Sequence, residues 1–397
     1  ARVEGVISER AARLSDEERE LLAAASVLGE SFHAEVLAGL VEKGKREIVR
    51  SLSGSLARKH GLVRALGVDR VAGVRLSLYE FRHQLFHRFF YESLDQVERG
   101  MLHEEAAGVL LDLFGDDTAK VALQLAHHYC AAELEEEAVE FLYLAGREAR
   151  RGVANAEASS HYRAALEILD QIQNRSGELP DRWQPLRQDI RMALGEVLLL
   201  DGEFASARSL FEQALSDSAN DDRLQQTRLL IRIARSHERE HRHELAMDSL
   251  DRAAEKIGDG FDSSSKAEMS EWINVRTARL WLCYWKGDVE GMTRVIDEAQ
   301  HIIEEHGSQT QKRNFFGGLA GLRNRQDRFV PSDETLEASN RAMQAALSSD
   351  NLIDRADGVF GTAFFYMLRN DLDRAGELMQ QSLEFARRSG DRTLQAR

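Results

Sequence analysis

Over most of this sequence, apolar side chains recur three and four positions apart rather than in alternation. That period puts them on one face of an α-helix. From about residue 118 onward the helical segments come in pairs of 12 to 17 residues each. One stretch breaks the period. "LVRALGVDRVAGVRLSLYEF" (Leu62–Phe81) reads as two short strands around a Gly-containing turn. The pattern therefore predicts a mostly α protein with one small β-hairpin near its start.

Within the paired segments a tighter grid is visible. Gly146, Ala158 and Ala165 are separated by 12 and 7 residues, and the same intervals separate Gly195, Ala207 and Ala214. Ala234, Ala246 and Ala253 repeat them, as do Ala363, Ala375 and Ser382. A weaker copy sets Leu280, Met292 and Ala299 around "KGDV" (Lys286–Val289). Antiparallel helices approach closely only where side chains are tiny, and larger neighbours then fill the grooves. Tyr162, Phe211, Leu250 and Met379 stand four residues after the second small position, where such neighbours belong. "DGEF" (Asp201–Phe204) and "RNDL" (Arg369–Leu372) are the short polar turns. This grid resembles the tetratricopeptide repeat (TPR). The first four copies along the chain lie 39 to 49 residues apart against a usual period of about 34, which implies long linkers. A TPR-like α-α superhelical solenoid over 116–397 is expected. Such an array has a concave face for a protein partner or a small-molecule inducer. Trp272, Trp281, Tyr284 and Trp285 are expected in its core, and "NFFGGLAGL" (Asn314–Leu322) is where a helix break or a close backbone approach is expected, and with it a ligand-facing irregularity.

Residues 1–115 follow another grammar. Ser15 and Glu18 form a capping box at the head of "SDEERELLAAASVLG". Two further helices, "HAEVLAGLVE" and "REIVRSLSGSLARKHGL", precede the hairpin. Three helices followed by a hairpin predict a winged-helix domain, with linking helices after it. "YEFRHQLFHRFFYESL" (Tyr79–Leu94) then closes a strand and opens the next helix, with Leu85, Phe86, Phe89 and Phe90 as its anchors.

Charge divides the chain in the same place. The net charge is −15, yet residues 1–100 hold 16 Lys/Arg against 15 Asp/Glu. An acidic body does not wrap nucleic acid. The first part escapes that exclusion, because Lys45, Arg46 and Arg50 lie on the expected third helix, which in winged helices enters the major groove. Packing of this basic surface on an acidic neighbouring domain is favoured over DNA. Nothing in the sequence spans a membrane, the N-terminus lacks the apolar core of a signal peptide, and two cysteines are too few for a disulfide framework. A cytoplasmic protein is expected.

Catalytic chemistry is hard to find. "GLVEKGKR" (Gly39–Arg46) nearly matches a phosphate loop, but Arg46 stands where a Mg²⁺-binding hydroxyl is needed and no buried strand precedes it. A metal-dependent enzyme would need His83 and His87 with His127 or His128. The intervening "QLF" has no glutamate, and adjacent histidines diverge by about 100° on a helix. No metal is expected, and no enzyme.

The order of these features is similar to that in bacterial STAND-type, MalT-like regulatory ATPases. "ISERAARLSDEERELLAAASVLGESFHAEVL" (Ile7–Leu37) resembles the start of their winged-helix domain. Tyr79, Phe81, Arg82, His83, Leu85, Tyr91, Ser93, Leu94, Arg99, Leu102, His103, Ala106 and Ala107 match the family's "Y-x-F-R-H-x-L … Y-x-S-L … R-x-x-L-H-x-x-A-A" segment. The resemblance implies an NTPase core upstream in the same parent chain, with ATP or ADP bound there and no cofactor in this stretch. It also implies that His83 reaches the β-phosphate of ADP and holds a closed state. His87 is expected near solvent or an adjacent domain. The chain opens inside an expected helix and stops at "SGDRTLQAR", where another is expected to begin, as in a piece of a longer protein. A DNA-binding regulator with a TPR partner domain is the alternative reading.

Overall fold

The computed structural model describes Ile7 and residues 9–219, 222–258, 265–389 and 395–396. Residues 1–6 and 8, and 390–394 with 397, carry most of the expectations for the two ends and lie outside the described residues. The chain divides into two compact units, residues 1–151 with 160–183, and residues 152–159 with 184–397.

In the first unit, α1 (Asp16–Val27) starts at the expected capping box: Ser15 Oγ accepts from Glu18 N at 3.2 Å, and Ser15 N donates to the Glu18 carboxylate at 3.0 Å. Then come β1 (Ser31–His33), α2 (Ala34–Leu40) and α3 (Lys45–Ser51), which runs on through wider i→i+5 turns over Leu52–Lys59. The expected hairpin is present as β2 (Val63–Val71) and β3 (Val74–Phe81). Ala72 and Gly73 both take positive φ (48° and 80°), which matches the twist of a two-residue hairpin turn. The sheet has a third strand that the pattern did not announce. β1 pairs antiparallel with β3, Phe32 opposite Tyr79, giving the order β1-β3-β2. Three residues are too few to show a period. Leu22, Leu37, Ile48, Leu52, Leu56, Leu62, Tyr79 and Phe81 close one core between these helices and one sheet face.

After the hairpin come α4 (Gln84–Ser93), α5 (Gln96–Phe114), a 3-10 segment (Gly115–Val121), α6 (Ala122–Ala131), α7 (Glu135–Arg151) and α8 (Asn155–Ser176). Of the four expected anchors of α4, Phe86 and Phe90 are buried and Phe89 is partly so, but Leu85 is exposed. It is the second residue of the helix, about 100° around from Phe86.

The second unit holds five helical hairpins: α9 (Gln184–Asp201) with α10 (Phe204–Asp217), α11 (Arg223–Arg239) with α12 (His243–Ile257), and α13 (Lys266–Lys286) with α14 (Val289–His306). They are followed by α15 (Gln309–Gln326) with α16 (Asp333–Leu347), and α17 (Leu352–Leu368) with α18 (Leu372–Ser389). The first helices of successive hairpins pack on one another more closely than the second helices do. That asymmetry makes the first helices the inner layer of an α solenoid.

The small-residue grid is the contact. A Cβ added at Gly146 would lie 2.4 Å from the Tyr162 ring, and one at Gly195 would lie 2.4 Å from the Phe211 ring. Ala158, Ala165, Ala207, Ala214, Ala246, Ala253, Ala363 and Ala375 are all buried, as are Leu280, Met292 and Ala299 of the weaker copy. The wide spacing of copies has a source besides linkers, since α8 and α13 are 22 and 21 residues long.

Two expectations are decided here. Of the two readings of "NFFGGLAGL", the break fails, because α15 runs through it without interruption, and the close backbone approach holds. Its glycines let α13 in: added Cβ atoms at Gly318 and Gly321 would meet Leu280 at 2.4 Å and Tyr284 at 3.0 Å. The close packing offsets the roughly 1 kcal/mol that each helical glycine costs. The expected aromatic core is also incomplete, for Trp272 is buried but Trp285 is 51% exposed.

One residue change made at two glycines should move stability in opposite directions. Gly195→Ala forces its methyl into Phe211 and should cost about 1–3 kcal/mol. Gly361→Ala, within α17 with no atom in reach of the new methyl, should gain about 0.5–1 kcal/mol. Urea unfolding followed by circular dichroism reads both.

Candidate functional site

In the first unit, the strand-to-helix junction that carries the histidines separates their roles. His83 is the N-cap of α4. Its backbone is extended, its Nδ1 accepts from Leu85 N at 3.1 Å, and the residue is exposed. An imidazole used this way keeps Nε2 turned outward for a second partner. His87, one turn on, is not at an open surface. Its Nε2 donates to the Ser26 carbonyl at 2.9 Å, and its ring meets the Phe81 ring at 68°. This histidine ties α4 to α1 and β3 while staying partly exposed, a more anchored place than the expected one near solvent or an adjacent domain.

His127 and His128 do not join this pair. His128 is buried and faces His103, Nδ1 to Nδ1 at 2.8 Å, while Tyr91 Oη lies 3.1 Å from His103 Nε2. The His127 ring packs edge-on against both imidazoles, and Arg99 lies over the Tyr91 ring. Two nitrogens at that distance share one proton, so the two rings cannot both be charged. Burial, then His127 and Arg99, push His103 down to about 4, and burial, then His103 and His127, push His128 down to about 3. Among the described residues no group of three or more His, Cys, Asp or Glu is arranged to hold a metal ion. Spacing alone does not bring His103 and His128 together, since they stand 25 residues apart on different helices.

Lys45, Arg46 and Arg50 are exposed on α3, and none of them is in an ion pair with a described residue. Ile48 on the same helix is buried, so the three cations point outward from an anchored element.

In the second unit, a polar row crosses the inner layer from helix to helix. Glu196 on α9 takes Arg232 of α11 at 2.6 Å. Arg232 also donates to the Arg228 carbonyl, and the Arg228 side chain meets Glu271 of α13 at 2.7 Å. Glu271 accepts from Asn274, whose side-chain oxygen accepts from Gln311 of α15 at 2.8 Å. Two residues on, Arg313 meets Asp354 of α17 at 2.8 Å and Asp357 at 3.3 Å. Asp354 also accepts from Thr310 and from Ser349.

The row has two kinds of member. Glu271, Arg313 and Asp354 are nearly buried, and as desolvated charges they need each other. Arg228, Arg232 and Glu196 keep 27 to 39% of their side chains open. They are fixed by their neighbours and stay partly open to solvent. Individually these residues look like ordinary helix-surface charges, and only the stacking of hairpins lines them up.

No protein-family model and no curated protein sequence matches this chain. Among solved structures the fold is similar to that of a Signal Transduction ATPase with Numerous Domains (STAND) protein with a tetratricopeptide repeat sensor, from Pyrococcus horikoshii. The TM-score is 0.51 at 14% identity, over 97% of this chain and 53% of that one. The chain thus spans about half the length of that protein. It is also similar to the apo form of RapI, with a TM-score of 0.52 at 14% identity, over 74% of this chain and 97% of that one. At such identity the likeness is one of fold: a helical-repeat, TPR-type α solenoid. No helix among the described residues is long and apolar enough to cross a membrane.

The buried imidazole pair has a pH consequence. Both histidines titrate lower in the fold than their ordinary value of 6.5, so the unfolded chain binds more protons below that pH. Their stabilisation is complete above about pH 6.5 and declines as the pH falls toward 4, by about 1.4 kcal/mol per pH unit for each ring. Native-state hydrogen exchange of the α6 amides at pH 6.5 and 5.0 should show this loss of protection. His128→Gln should remove about one proton from the slope.

Proposed function

We propose that this chain is the regulatory, sensor and interaction region of a STAND-type signal-transduction ATPase acting in the cytoplasm. The second unit binds a protein partner or small-molecule inducer on its concave inner face. The first unit, read as a winged helix, relays the nucleotide state of an NTPase core in the same parent chain. The observation that carries the reading is the row from Glu196 to Asp357. It holds the first helices in register while leaving Arg228, Arg232 and Glu196 partly open to a ligand. A ligand that bridges these groups favours one spacing of the hairpins over another, and such differential binding is what shifts a conformational equilibrium. The fold likeness to a protein whose repeats are described as a sensor supports the same reading.

His83 is the nucleotide contact in this proposal. Its exposed ring at the head of α4, with Nδ1 already occupied, offers Nε2–H to a phosphate oxygen. The chain itself is non-catalytic and holds no cofactor, since it has no phosphate loop; ATP or ADP belongs to the parent. A second reading rests on Lys45, Arg46 and Arg50, whose exposure without ion partners among the described residues suits a DNA backbone.

His83→Ala in the parent protein should loosen an ADP-locked closed state, with basal ATPase activity raised and ADP held about tenfold more weakly. Unchanged ADP affinity and basal activity would refute the role of His83. For the inner face, Arg232→Ala should weaken partner or inducer binding about tenfold by calorimetry at unchanged helicity. Binding that ignores this change would place the ligand elsewhere. A salt-dependent shift of duplex DNA, lost in Arg46→Glu with Arg50→Glu, would favour the second reading.

A further inference from the structure

The hairpin turns of the second unit are short where they only have to reverse the chain. Gly202 and Glu203 suffice between α9 and α10, and Gly287 and Asp288 between α13 and α14. The α15–α16 turn is different. It runs over six residues, Asp327 to Ser332, and holds Arg328 and Phe329 consecutively at φ 54° and 65°. Elsewhere among the described residues of this unit the non-glycine residues at positive φ, such as His241 and Asn370, stand singly. Two in a row cost energy that the hairpin does not require. Their effect is display, for Phe329 and Val330 are left 50% and 71% exposed while Pro331 is buried.

The displayed residues continue onto the neighbouring turn. The Arg325 guanidinium lies 4.5 Å from the centre of the Tyr284 ring and 5.7 Å from that of Phe329, and its Nη2 donates to the Tyr284 carbonyl at 2.6 Å. Tyr284 packs edge-on against Trp285, whose ring is half in solvent. Trp285, Tyr284, Arg325, Phe329 and Val330 therefore form one stripe along the turn edge, away from the polar row of the inner layer. Exposed Trp, Tyr and Arg held rigid by neighbours are the residue types on which binding energy concentrates.

The stripe carries two arginines, Arg325 and Arg328, in a chain of net charge −15. Arg328 is exposed and unpaired among the described residues, and Arg325 is committed to rings and a carbonyl rather than a carboxylate. Asp327, between them, keeps its negative charge but turns its carboxylate onto Ser332 N and Thr335 Oγ1, and Asp333 pairs with Arg369. Glu334 is the next carboxylate along the chain, with no ion pair to a described residue. We propose that this turn edge is a second docking surface, for an acidic segment of another protein that inserts an aromatic or aliphatic side chain between Trp285 and Phe329 and lays carboxylates on Arg325 and Arg328. It is independent of the inner-face reading, and either can fail alone.

The test is selection of a displayed library of random twelve-residue peptides against the whole chain. Enriched peptides are expected to be acidic with at least one aromatic or aliphatic anchor. By fluorescence anisotropy they should bind about tenfold more weakly to Phe329→Ser and several-fold more weakly to Arg328→Glu, with affinity falling as salt rises. Arg232→Ala, on the inner face, should leave them unaffected. Both stripe changes are at exposed positions, so circular dichroism should match the parent. No enrichment, enrichment of basic or neutral peptides, or binding indifferent to both changes would overturn the proposal. Concentration-dependent dimerisation abolished by Phe329→Ser would overturn it too, because the stripe would then be covered by a second copy of this chain.

Discussion

Everything in the repeat part depends on how closely two antiparallel helices can approach. At Gly146 and Gly195 a single added carbon would sit inside an aromatic ring. Protein interiors do not tolerate that overlap, and they do not tolerate a void in its place either. The pair of rules fixes Tyr162 over Gly146 and Phe211 over Gly195, and with them the crossing of each hairpin. A solenoid is a sum of such local contacts, each hairpin touching its neighbours, so the fold follows from repetition of one steric fit. The polar row of the inner layer and the stripe of the turn edge are both built on this frame.

The two surfaces use charge in contrasting ways. Along the inner layer, desolvated groups such as Asp354 and Arg313 are paired and hydrogen-bonded, which is the condition for burying them at all. Their partly open neighbours are held in fixed rotamers at little further entropic cost, so they are ready to bind. On the turn edge the cation is held by aromatic faces and a carbonyl instead, with no ion pair to a carboxylate among the described residues. The imidazole pair of the first unit is a third solution, in which burial keeps His103 and His128 neutral and one shared proton joins α5 to α6.

Much of the architecture is legible in residue type and spacing alone. The capping box at Ser15, the hairpin over Val63–Phe81, and five copies of the small-residue grid can be read this way, because each is enforced locally. The α15–α16 hairpin escapes, since its six-residue turn shifts the grid out of register and its glycines imitate a break. The strand Ser31–His33 escapes because pairing with β3, 45 to 49 residues away, creates it. His83 is singled out by its motif, and the fold puts it on the surface at a helix cap. The anchoring of His87 escapes because its partner carbonyl, at Ser26, lies 61 residues earlier.

Unaided, the sequence sets the class of element at nearly every position and the fit inside each hairpin, because helical period, caps and tiny contact residues act over a few to twenty residues. Which charges meet is settled by tertiary packing. Glu196 with Arg232, Arg228 with Glu271, and Arg313 with Asp354 are brought together by stacking hairpins 36 to 43 residues apart. Packing also leaves Trp285 in solvent while Trp272, on the same helix, is buried. The difference is one of range. Propensity and sterics are written in neighbouring residues, whereas the energy of a charge or a ring depends on what the rest of the chain places beside it.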